Sequence, residues 1–281
     1  MGLRINTNVA SINAQRNLTG TKLGLDRNLE KLSSGYRINR AGDDAAGLAI
    51  SENLKAQIRG LKQAQRNAQD GVSLVQVAEG SLNEISGILI RLRELSVQAA
   101  SDTIGPVERQ FLNVEYDQLI SEIDRIADGT EFNGTQLLSG TGSVLDFQVG
   151  TRNDPNIDRL SFDASKADAN SAALGVNLTS VADKASAQNT LSALDQAIVS
   201  VSAMRADFGA IQNRLQSTIS NIAVGVENMA AANSRIRDAD IAEETAEFTK
   251  NNILLQAGTS VLAQANQSAN TALSLLNKTF S

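Results

Sequence analysis

The sequence predicts a mainly α protein: an elongated rod of long antiparallel coiled-coil helices with a small β-hairpin region. Three observations predict it. From Leu194 to Ile236 steps of four and three alternate without a break, one row wholly apolar (Leu194, Val201, Phe208, Leu215, Ile222, Met229 and Ile236) and the other carrying Ile198, Ile219 and Val226 among polar residues, which is a heptad seam. A second seam runs from Leu54 to Leu89. Across 281 residues there are only two prolines, and aromatic residues make up 3%. Little therefore interrupts long helices, and small aliphatic side chains suit close helix packing.

Taken in order, the first element is a helix with Leu18, Leu25 and Leu32 seven residues apart and Leu29 beside them. A second helix is expected from about Asp43 to Ala100, with Asp43 as its cap and Asp44 favoured in the first turn by the helix dipole. Its seam includes Leu54, Ile58, Leu61, Val72, Val75, Leu82 and Leu89, widened by Ala78, Ile85, Leu92 and Ala99. Gly105-Pro106 starts a third helix, striped by Leu112, Tyr116, Leu119, Ile123 and Ile126, since proline suits a first helical turn. Asp128-Gly129 and Asn133-Gly134 are turn signals. Leu145, Phe147 and Val149 alternate, as do Leu160 and Phe162 across an Asp154-Pro155 turn, so short hairpin strands are expected. Residues 165–180 read as loop. In the long seam that follows, Arg205, Gln212 and Asn233 are polar residues that can fix register.

The last helix repeats Ile241, Phe248, Leu255, Leu262, Ala269 and Leu276 every seven residues. This row and the Leu18–Leu25–Leu32 row are narrow and flanked by Asn, Gln and Thr. A lone helix with so thin a stripe is marginal in water, so the terminal helical pair is expected to order on assembly.

Composition narrows function. The chain has no His and no Cys. It thus lacks a side chain titrating near neutrality, a thiolate, and the residues of common zinc sites. No enzyme activity, catalytic residue, cofactor or metal is expected. A net charge of −6 argues against nucleic acid, which needs a basic surface. No apolar run is long enough to span a bilayer, so no membrane partner is expected. Met1 to Asn8 contains no apolar signal-peptide core, which predicts a non-Sec route if the chain works outside the cell. Gly20-x-x-x-Gly24 has polar flanks and reads as close packing of soluble helices.

Two distant motifs carry a resemblance. The opening Ile5 to Ala14 (INTNVASINA) and Leu32 to Ile50 (LSSGYRINRAGDDAAGLAI), with Ile236 to Glu244 (IRDADIAEE) and Gln264 to Leu276 (QANQSANTALSLL), are similar to the two ends of bacterial flagellins. The resemblance covers most of the chain except roughly 140–181, and large outer domains are missing. It implies a structural subunit that polymerises into the extracellular flagellar filament after type III export. The alternative it leaves is a hook–filament junction protein.

On that basis the domains are expected at 1–39 with 236–281 (terminal coiled coil, filament core), 40–139 with 181–235 (rod), and 140–180 (short variable outer region). Assembly would use Leu18, Leu25, Leu32, Ile241, Phe248, Leu255, Leu262 and Leu276. The implied partners are further copies of the chain, the flagellar export chaperone, the filament cap and the host's flagellin-sensing Toll-like receptor. Receptor contact is implied for the stretch Arg91 to Gln98 with Glu115, and packing against neighbouring copies in the filament is the other reading of Arg91, Leu95, Gln98 and Glu115. There Arg91, Leu95 and Gln98 are expected on one outward helix face, away from Leu82, Ile85, Leu89 and Leu92. Flagellins often carry O-linked glycans on outward Ser or Thr, for which Ser161, Ser165, Ser171 and Thr179 are the implied places.

Overall fold

The computed structural model describes the backbone of residues 7–279 and side chains as far as Gln267. Ile5 and Asn6 of the opening motif and the side chain of Leu276 lie outside the described residues. Five α-helices, α1 (Val9–Ser34), α2 (Ala45–Ala99), α3 (Pro106–Gly129), α4 (Lys184–Arg237) and α5 (Ile241–Thr279), run along the described residues, with two small hairpins between α3 and α4. The chain divides into two compact units, Met1–Ala56 with Asn228–Ser281, and Gln57–Glu227.

In the first unit the two chain ends pair. Asn8 caps α1, its side-chain oxygen accepting from the Ser11 amide at 3.1 Å. Gly35 ends it at φ 73°, donating to the Lys31 carbonyl, the left-handed conformation that glycine adopts at least cost. Helices α1 and α5 run antiparallel. Ser11 Oγ meets Asn266 at one end, Leu18 packs at Gly258 and Gly24 at Asn251 midway, and Lys31 pairs with Glu244 at 2.6 Å at the other end. Of the Gly20/Gly24 pair, only Gly24 has a close neighbour.

The turns after α1 and α4 are stitched together. Arg37 N donates to the Arg237 carbonyl at 2.7 Å and Ala239 N to the Gly35 carbonyl at 2.9 Å. The Arg237 guanidinium lies over the Tyr36 ring at 4.7 Å and pairs with Glu52. The expected cap of α2 moves by one residue. Asp44 is the cap, accepting from the Gly47 amide at 2.8 Å. Asp43 accepts the Asn39 and Arg40 amides of the preceding turn, and these bonds hold its carboxyl below the usual aspartate value. The reason is spacing: α2 begins at Ala45, and a capping side chain reaches only two or three residues ahead.

The second unit is a helix bundle closed by the hairpins. The seven-residue row is buried at Leu194, Val201, Phe208, Leu215 and Ile222, and faces Ala78, Leu82, Ile85, Leu89, Leu92, Tyr116 and Ile123 in one apolar core. Pro106 starts α3 after an extended Gly105. Arg109 of α3 reaches back to the Ala99 carbonyl at 2.7 Å and the Ser101 carbonyl at 2.8 Å. It thereby satisfies acceptors left open where α2 ends. Strands β1 (Glu131–Phe132) and β2 (Thr135–Gln136) turn on Asn133-Gly134, both at positive φ. Strands β3 (Val144–Gln148) and β4 (Arg159–Asp163) pair antiparallel with Phe147 opposite Leu160. This hairpin sits on α2 where Gly71 leaves room for the Phe147 ring, and Phe162 meets Phe208 at 4.7 Å between centroids.

Residues 165–180 form no strand or α-helix, yet they are held to the core. Ala167, Ala169, Leu174 and Val176 are buried. Asp124 accepts from the Ser171 amide and hydroxyl at 2.7 and 2.8 Å.

Candidate assembly surfaces

The α1–α5 pair spends its heptad rows inside itself. Leu18, Leu25, Leu32, Phe248, Leu255 and Leu262 are half-buried, while Ile241 is exposed. A further set stays uncovered: Ile12, Leu23 and Leu29 on α1 and Ile253, Leu254 and Val261 on α5, each roughly half exposed or more. Two long helices burying one thin stripe leave their remaining apolar side chains to water, a state that marks an interaction surface. Apart from Leu29, which stands beside its row in the sequence, periodicity missed this second set because its members fall outside the seven-residue rows.

The Arg91 face differs from expectation at its centre. Arg91 is exposed and bonded to Glu115 of α3 at 2.8 Å and to Glu94 at 3.1 Å. These bonds, the one to Glu115 first, hold its proton more firmly than usual. Gln98 and Glu115 are exposed as well. Leu95 is not: it is 0% exposed and belongs to the core.

The reason is that α2 carries a neighbour on each flank. Arg91 marks the flank facing α3, and Arg93, bonded to Asp195 at 2.7 Å, the flank facing α4. At about 100° per residue Leu95 lies some 40° inward of Arg91. It therefore falls within the arc that α3 closes, alongside Leu92 and Ala99. A seam drawn for one partner helix is narrower than the arc buried between two.

Two of the four hydroxyls implied for glycans are also committed inward. Ser171 is buried on Asp124. Thr179 donates to the Val176 carbonyl, so its oxygen accepts from Tyr116 Oη at 2.7 Å. Burial pushes the Tyr116 phenol up from its ordinary value. No helix among the described residues is long and apolar enough to cross a membrane, and the described residues hold no metal-binding cluster of three acidic side chains.

Paired chain ends with uncovered apolar faces, in a chain otherwise built of long helices, fit a self-associating helical subunit. Residues 5–143 match the bacterial flagellin N-terminal helical region, and residues 191–276 the bacterial flagellin C-terminal helical region. A flagellin of Halalkalibacterium halodurans is 48% identical over 97% of this chain and 99% of its own length. A flagellin of Bacillus subtilis is 46% identical over 98% and 100%. The flagellar filament 33 kDa core protein of Treponema phagedenis is 46% identical over 97% and 99%. Among solved structures, Bacillus cereus flagellin aligns with a TM-score of 0.50 at 36% identity, covering 60% of this chain and 94% of that one. The chain belongs to the bacterial flagellin family and is a structural subunit of the flagellar filament.

Proposed function

We propose that the chain ends, 1–39 and 236–281, form the filament core and become fully ordered only there. Residues 40–139 and 181–235 then form the surrounding rod, and 140–180 a short outer region. The observation that carries this is the uncovered apolar set on α1 and α5, from Ile12 to Leu29 and from Ile253 to Val261. Burial at about 25 cal/mol per Å² makes such a set worth several kcal/mol once neighbouring copies cover it. Before export the same surface needs hiding, and helix-in-groove capture by the flagellar export chaperone suits an amphipathic end. Growth beneath the filament cap outside the cell completes the reading.

Deleting Ile241 to Ser281 tests it. The truncated chain is expected to stay monomeric under polymerising conditions and to melt cooperatively by far-UV circular dichroism. Filaments of the truncated chain in negative stain would overturn the reading.

The monomer is also read by the flagellin-sensing Toll-like receptor through Arg91, Gln98 and Glu115, with Leu95 supporting that surface from beneath. Arg91→Ala is expected to lower signalling by depolymerised protein in a receptor reporter assay. Signalling equal to wild type would remove Arg91 from the contact.

A further inference from the structure

We infer that Phe111 of one copy inserts into a pocket on the next copy, forming a head-to-tail contact between 57–227 units. The inference rests on the filament-subunit reading and names a contact within it. Val107, Phe111 and Val114 stand at i, i+4 and i+7 on α3, with Phe111 70% exposed. The buried face of α3 is set by Tyr116, Ile123 and Ala127. At about 100° per residue the three exposed side chains fall roughly opposite that face. Packing inside one chain therefore gives them no partner, and a naked apolar face of this kind marks an interaction surface.

The same unit carries a hole of matching chemistry. A cavity of about 340 Å³ opens between β4, the turn after it and α4, large enough for an aromatic side chain. Its floor is Phe162, Met204, Phe208 and Ile211. The tilted Phe162–Phe208 pair offers ring edges and faces to an incoming phenyl group. Asp163, Lys166, Asp207 and Arg214 line the rim. Lys166 is taken by Asp163, whereas Arg214 forms no ion pair among the described residues. Glu108, three residues before Phe111 on the exposed side of α3, likewise forms none. Knob and hole thus match in apolar character, and Arg214 offers a charge opposite to Glu108 beside Asp207, which is equally unpaired among the described residues.

No copy can fill its own pocket. The Arg91–Glu115 and Arg93–Asp195 bonds and the approach of Leu215 to Gly71 fix the levels of the three helices. They put Phe111 about 25 Å along α4 from Phe208 at ~1.5 Å per residue. A contact between two different patches is heterologous, and when its rotation does not close a ring it propagates as a helical filament.

The chain lacks cysteine, so cross-linking can be read cleanly. Phe111→Cys and Ala210→Cys, the latter on the pocket wall, are made separately, mixed, polymerised and treated with a short bismaleimide. The expected products are heterodimers from mixed filaments, a ladder from the double variant, and neither from monomer. Mixed filaments without heterodimer, or homodimers from Phe111→Cys alone, would overturn the inference. A second measurement does not depend on the cross-link. Phe111→Ser should raise the critical concentration for polymerisation about tenfold or more while leaving the monomer melt unchanged, and an unchanged critical concentration overturns the contact. Wild-type protein that fails to polymerise at all would instead overturn the filament-subunit reading.

Discussion

Replacing Leu95 by Ala separates a core residue from a surface anchor. The side chain is completely buried among α2, α3 and α4. Leu→Ala removes three carbon groups worth about 0.8 kcal/mol each in transfer free energy. A cavity term adds to this, because a bundle held on both flanks by Arg91–Glu115 and Arg93–Asp195 relaxes little. The expected loss is about 3 kcal/mol, within the ~2–5 kcal/mol range of such substitutions. For a unit the size of 57–227, that corresponds to a melting temperature lower by roughly 6–12 °C. Urea unfolding of monomer followed by helical circular dichroism reads the free energy directly. Phe111→Ala is the companion variant: its ring is on the surface, and its effect on monomer stability should stay within about 0.5 kcal/mol. A Leu95→Ala loss below about 1 kcal/mol would refute the two-flank packing of α2.

Other outcomes follow from the same packing. Gly71→Ala should destabilise by about 1 kcal/mol or more, because its Cβ would meet Phe147 at 3.0 Å and Leu215 at 3.3 Å, and overpacking outweighs the helix-propensity gain. Gly87→Ala, with open space at that Cβ, should instead stabilise by about 0.5–1 kcal/mol in the same urea assay. Tyr116 should titrate above the ordinary value of about 10, measured by absorbance in a Tyr36→Phe background. Because the fold favours its neutral form, its contribution is complete below the ordinary value and disappears as pH climbs through the higher folded one. Titration at the ordinary value would contradict the burial argument. Thr179→Val removes one of the two hydroxyl partners of Tyr116, Ser96 remaining, and should cost about 0.5–1.5 kcal/mol in thermal or urea melts.

The helices were legible because burial itself imposes their period. Leu194, Val201, Phe208, Leu215 and Ile222 repeat every seven residues since each faces the same neighbour, and Pro106 announces its own first turn. What period cannot carry is the number of neighbours. Leu95 reads as outward only if α2 has a single partner, and the second appears when Arg109 and Glu115 fold back from α3. The loop 165–180 shows the same limit. Its Ala, Asn and Ser content reads as solvent-facing, yet Asp124, more than forty residues earlier in sequence, holds Ser171 in place. Long-range pairs of that kind leave no local trace. At the chain ends the rows were visible, but Ile12, Leu23, Ile253 and Val261 lie between rows and emerge as a surface only once α1 and α5 are seen side by side.

Hydrogen exchange of α1 and α5, measured on monomer and on polymerised protein, tests most directly whether the chain ends gain their stability from neighbouring copies. Amides of Val9–Ser34 and of Ile241 onward are expected to exchange rapidly in the monomer, while those of the 57–227 core are protected, and to become strongly protected in the filament. Equal protection of both terminal helices in monomer and filament would contradict assembly-coupled ordering and leave the α1–α5 pair a self-sufficient structure.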